Sequence, residues 1–184
     1  MYWIILLAGV ALWWGAHLFK RIAPARRATL GDAGKGAVAA AIGVSIVLMV
    51  IGYRGTDFVP VWNPPGFLIH LNNLLMLIAI YMLSPAPKRG KLLQGMRHPM
   101  LTGFGIWAVA HLLVNGDLAS LILFGGLLIW AILTPRIINA ADPGWIPNTG
   151  GTIAKDAMFL VGSVILLGVI GWVHNWLGVW PFPV

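Results

Sequence analysis

Five histidines (His17, His70, His98, His111 and His174) are the residues of this chain best suited to chemistry, since it has no cysteine and its five acidic residues are all aspartates. Without cysteine there are no disulfides, thiolate nucleophiles or Cys-ligated metals. Serines are few (Ser45, Ser84, Ser120, Ser163), and none sits in a nucleophile-elbow pattern. No glycine-rich phosphate loop follows a strand pattern. Soluble-type hydrolase, kinase and dehydrogenase chemistries are therefore excluded. His111 is the most demanding of the five. It closes the stripe Gly103-xxx-Trp107-xxx-His111, one face of a helix by i, i+4 spacing. A histidine in an apolar segment without an acidic partner favours the neutral imidazole, which ligates haem iron or another transition metal. The same ring can instead hydrogen-bond a carbonyl, Asn72, Asn73 or Asn115. A second candidate is Arg97-His98-Pro99, where proline fits a first helical turn. Arg97 and His98 there can bind an anionic headgroup or a cofactor carboxylate, or simply anchor a membrane face.

The elements that must position these residues follow from composition. The chain is 59% hydrophobic and 9% charged, against about 25% charged in soluble domains, too little to coat a water-soluble surface. A helix needs about 20 apolar residues to cross a bilayer core. Stretches near that size occur at Tyr2–Phe19, Gly36–Tyr53, Phe67–Pro87, Pro99–Gly116, Leu118–Pro135 and from Ala157 to the C-terminus. The expected fold is all-α: a polytopic helical bundle of six transmembrane helices, one domain over residues 1–184. Tyr2–Phe19 lacks a basic leading segment and is followed by Lys20 and Arg21 rather than a cleavage site, so it reads as a span and not a signal peptide. Asn115-Gly116-Asp117 suggests a tight reversal, because Asn-Gly tolerates positive φ and Asp117 can cap the next helix. Ala39-xxx-Gly43 and Gly103-xxx-Trp107 offer smooth surfaces for helix packing.

Loop charge sets the orientation. Lys20, Arg21, Arg26, Arg27 and Lys35 fill the first loop, Lys88, Arg89, Lys91 and Arg97 the third, Arg136 and Lys155 the fifth; only Arg54 lies elsewhere. By the positive-inside rule those loops are cytoplasmic and both termini lie on the non-cytoplasmic side. Basic residues placed this way orient a chain in a lipid bilayer and do not form a nucleic-acid face. The sides give each histidine a depth. His17 and His98 fall toward the cytoplasm, whereas His70, His111 and His174 fall toward the outer face. His98 and His111 lie about 20 Å apart along one helix and cannot ligate one iron. His70 pairs most easily with His111 on depth. Pairing His17 with His111 requires the first helix to run on toward Ala23, with Lys20 and Arg21 snorkelling and Pro24 as the stop. Trp3, Trp62, Trp172, Trp176 and Trp180 read as interfacial anchors. Trp13, Trp14, Trp107 and Trp130 lie deeper, to line a pocket for a flat apolar ligand or simply to pack.

The stretch RHPMLTGFGIWAVAHLLVNGD (97–117), followed by LASLILFGG, resembles the signature of NnrU-domain proteins. These are bacterial membrane proteins associated with denitrification loci, and the 15-cis-ζ-carotene isomerases of plants and cyanobacteria are similar to them. The likeness extends to His17 in AHLFKR, to Gly52-Tyr53, and to Val61-Trp62-Asn63-Pro64-Pro65. It implies a multi-span, haem b-associated protein of the bacterial inner membrane. Such a protein would support nitrite and nitric oxide reduction as an accessory or sensor, beside reductase maturation components. It also implies His17 and His111 as axial metal ligands. Trp107, His70, Arg97 and His98 complete the candidate cofactor-binding set. The alternative function is a membrane isomerase acting on a polyene such as ζ-carotene. The isomerases carry a cysteine a few residues before the AH histidine, where this chain has Ala108, so their redox-dependent ligand exchange does not transfer. This chain also lacks the isomerases' N-terminal extension. The sequence assigns no catalytic residue.

Overall fold

Glycine decides how the first two long helices meet. In the computed structural model, which describes residues 1–183, α1 (Tyr2–Ile22) is followed by the short α2 (Pro24–Thr29) and then α3 (Ala33–Gly55). A Cβ on Gly9 would lie 2.8 Å from the Met49 backbone nitrogen, one on Gly52 would fall on the Leu6 backbone, and one on Gly55 on the Tyr2 ring. Numbers rise along one helix as they fall along the other, so α1 and α3 are antiparallel with their backbones in contact. The expected smooth surface at Ala39 and Gly43 is not used, since nothing lies within 4 Å of a Cβ built on Gly43. Lys20 and Arg21 occupy the last turn of α1, where cations complement the negative end of the helix dipole. Helix α1 therefore runs past Phe19, and Pro24 opens α2 at a position where its missing N–H costs nothing.

The same compact unit, Met1–Asn63 with Gly116–Ala141, contains a continuous helix over Leu118–Ala141. It begins as α7 (Leu118–Ser120), widens into a π-helical turn over Leu121–Gly125, and continues as α8 (Gly126–Ala141). The Trp14 indole donates to the Gly126 carbonyl at 3.1 Å, directly after the wide turn. Asp117 caps this helix as its type predicts, accepting from the Ser120 backbone N–H. The expected left-handed reversal before it is absent: Asn115 has φ −119 and the positive-φ glycines are Gly31, Gly150 and Gly178. The Gly116 carbonyl accepts from the backbone N–H groups of Val61 (2.7 Å) and Trp62 (3.0 Å), and Leu118 N–H donates to Val59. Pairing with 59–62 holds this connection extended.

The second unit, Pro64–Asn115 with Asp142–Val184, holds α4 (Leu68–Leu83), α5 (Ala86–Arg89), α6 (Pro99–Val114) and α9 (Ile153–Trp176). Gly103 lets α6 approach α4, for its Cβ would sit 2.8 Å from Met82 Cβ and 3.1 Å from the Ala79 carbonyl. Asp156, in the first turn of α9, is 4% exposed and fully used. Its carboxylate accepts from the Tyr81 hydroxyl at 2.5 Å and from the backbone N–H groups of Lys91 (2.7 Å) and Leu92 (3.2 Å). Asn148 donates to the Lys88 carbonyl, and Thr152 N–H to that of Arg89. These bonds fasten the basic segment 86–94 onto the start of α9. Asp156→Ala is expected to free it, leaving Tyr81 and two backbone donors unpaired. Faster tryptic cleavage at Lys88, Arg89 and Lys91 in folded protein measures this, with Asp156→Asn intermediate; unchanged cleavage would refute the fastening.

Among the described residues the chain is all-helical, with an isolated bridge between Pro60 and Asp117 and no strand. Four helices are long and apolar enough to cross a membrane: Tyr2–Ile22, Ala33–Gly55, Leu118–Ala141 and Ile153–Trp176. Helices α4 and α6 are apolar but only 16 residues each, just under the usual crossing length of about 17–25. Outward faces are strongly apolar, as at Val161, Val164 and Ile165 of α9, and are suited to lipid.

Candidate cofactor-ligating histidines and their networks

His17 lies in an aromatic slot of the first unit. The Trp13 ring centroid stands 4.1 Å from it and that of buried Trp130 4.8 Å, with the two indoles edge-on to each other at 5.4 Å. Trp13 reaches it by i, i+4 spacing on α1, and Trp130 comes from α8. The His17 Nδ1 is 2.9 Å from the Trp13 carbonyl. A carbonyl only accepts, so Nδ1 carries the proton and the lone pair of the neutral ring is on Nε2. Metal-ligating histidines are commonly oriented by this kind of backbone bond.

His111 repeats the arrangement in the second unit. Its Nδ1 donates to the Trp107 carbonyl at 2.9 Å, and the Trp107 ring lies 4.9 Å away. Phe104 continues the aromatic row at 5.0 Å from Trp107. Of the amides considered as partners, Asn115 donates to the His111 main-chain carbonyl, and Asn72 donates to Asn73. His174 of α9 has the same bond, Nδ1 to the Ile170 carbonyl at 2.8 Å, and lies close enough to act electrostatically on His111. His70 is exposed in the first turn of α4. Among the described residues no three His or Asp side chains gather into a metal site.

Arg97 and His98 serve the start of α6. His98 is the N-cap residue, and its carbonyl accepts from the Thr102 hydroxyl at 3.0 Å. The Arg97 guanidinium binds the Asp142 carboxylate at 3.1 Å and the Asp142 main-chain carbonyl, and lies 5.9 Å from the Trp145 ring. This cation therefore already has an anionic partner.

Three motifs far apart in sequence converge in the first unit. Gly52-Tyr53 ends α3, Val61-Trp62 pairs with Gly116, and Asp117 caps α7. The Ser120 hydroxyl donates to Asp117 at 2.6 Å and lies 2.9 Å from the Tyr53 hydroxyl. Since the serine proton is committed to the carboxylate, Tyr53 must donate to Ser120. The result is a directed chain, Tyr53 to Ser120 to Asp117, with Ser120 fully buried. Sequence reading missed this network and that of Asp156. The usable signal was the Asp-x-x-Ser spacing of an N-cap, whereas nothing local pointed to Tyr53 or Tyr81.

The family model described as NnrU protein matches residues 5–181 of the chain. No curated protein and no solved structure matches it.

Proposed function

Because the chain belongs to the NnrU family, a family of membrane proteins, we propose that it binds haem b and supports nitrogen-oxide metabolism as an accessory or sensor protein. In this reading it crosses the bacterial inner membrane six times, with α4 and α6 as the two shortest spans and both termini on the non-cytoplasmic side. The observation that carries it is the combination, at His17 and at His111, of an Nδ1 backbone bond with a tryptophan ring packed from one turn away. Each bond leaves the lone pair of a neutral ring packed on indole at Nε2, the kind of donor that suits haem iron. A haem iron supplies a redox-active centre able to bind nitric oxide. The chain's part is to hold the imidazoles in one tautomer and to surround them with apolar rings that limit water. His70, exposed and without such a bond, is the weaker candidate ligand. Trp107 fixes His111 through its carbonyl and its ring, so it is a positioning residue. The isomerase alternative gains nothing: Ala108, where the isomerases carry cysteine, is fully buried.

The test is the visible spectrum of protein expressed with ample haem. A Soret band is expected in wild type and in His70→Ala, with most of the haem lost in His17→Ala and His111→Ala. If wild type shows no Soret band and takes up no added haemin, the proposal fails.

A further inference from the structure

Where α1 ends, α2 begins and α8 ends, the first unit has an open surface hollow of about 480 Å³ lined by Lys20, Arg21, Pro24, Arg27, Ala28 and Ala141. Three of its six lining residues are cations and none is an acid. Among the described residues, Lys20 and Arg21 make no hydrogen bond or ion pair, in contrast with Arg97 on Asp142. The acids nearest in sequence are already paired: Asp142, next to Ala141, with Arg97 at 3.1 Å, and Asp32 with Lys35 at 2.7 Å. Arg27 is preset. Its guanidinium donates at 3.0 Å to the carbonyl of Gly31, whose φ of +51 only glycine adopts readily. Three clustered cations with no acid among them suit an oxyanion, to which guanidinium and ammonium groups make charge-assisted hydrogen bonds.

We propose that this hollow binds the phosphate group of an anionic membrane lipid. The bilayer is favoured as the source because α1 and Leu118–Ala141, whose C-terminal ends form the rim, are both of membrane-crossing length. Their ends therefore lie at the headgroup level, where basic clusters attract anionic lipid. Pro24, Ala28 and Ala141 give the headgroup an apolar floor.

The experiment uses the full chain in detergent, titrated with phosphatidylglycerol, phosphatidylcholine or inorganic phosphate, with binding read by native mass spectrometry and thermal stability. Wild type is expected to retain phosphatidylglycerol over phosphatidylcholine. Lys20→Gln with Arg21→Gln is expected to weaken that binding roughly tenfold or more, while Lys88→Gln leaves it unchanged. Equal retention of both lipids by wild type overturns the proposal, and this arm decides even if the double variant does not fold. Phosphate binding at the hollow without lipid retention overturns the lipid source. A Lys88→Gln loss equal to that of the double variant shows general charge attraction and overturns the site.

Discussion

Asp117→Ala is expected to destabilise the protein by about 3 kcal/mol, because it deletes a helix cap and strands a buried N–H and a buried hydroxyl. Asp117 is 8% exposed and Ser120 fully buried, so water cannot readily replace the lost acceptor. The effect should spread beyond α7. Leu118 N–H bonds Val59, and the Gly116 carbonyl binds Val61 and Trp62, so a loosened cap frees the 59–62 segment as well. Tyr53→Phe removes one bond and should cost about 1 kcal/mol. In the Asp117→Ala background it should cost less, because the two substitutions share Ser120. Equilibrium unfolding in mixed detergent measures all four proteins. An Asp117→Ala variant within about 0.5 kcal/mol of wild type, the range of an ordinary surface change, would show that the network carries no stability.

Gly52→Val should be as damaging, at about 3 kcal/mol, for a different reason. Its Cβ would fall on the Leu6 backbone, and a backbone has no rotamer with which to yield. Helices α1 and α3 would have to separate, opening the contact of Gly9 with Met49 too. Gly43→Ala on the same helix meets nothing within 4 Å and should gain up to about 1 kcal/mol from helix propensity. Two glycines nine positions apart on α3 thus predict effects of opposite sign. Unfolding midpoints of the two variants check this, and equal midpoints would contradict the backbone contact.

Helical architecture was legible because charge cannot be hidden in lipid: gaps between basic residues located every long helix, Pro24 marked the end of the first, and Pro99 the start of another. Reach across the chain was not legible. Tyr53 and Ser120 are 67 residues apart, and Tyr81 and Asp156 are 75 apart, so no local pattern joins them. Small-residue spacing marked Gly103 correctly but chose Gly43 over Gly9 and Gly52, because spacing shows which faces are smooth and not which face is covered. Asn115-Gly116 misled for a related reason: its preference for a left-handed turn is weak beside the bonds that Gly116 and Leu118 make to 59–62. For the histidines, sequence supplied the residue types and Trp107 one turn from His111, and the structure added Trp13 and Trp130 beside His17 and the tautomer.

The wide turn at Leu121–Gly125 bears on how the chain tolerates changes of length. A π turn holds more residues per revolution than an α turn, so five residues there cover the arc that about four would cover in ordinary helix. Leu118–Ala141 thus reads as a regular helix with a single residue spliced in. The surplus is confined between Ser120, which serves Asp117, and Gly126, which serves Trp14. Losing a residue from this stretch tightens the turn and leaves both ends on their faces. The same loss a turn later would swing Trp130 away from His17.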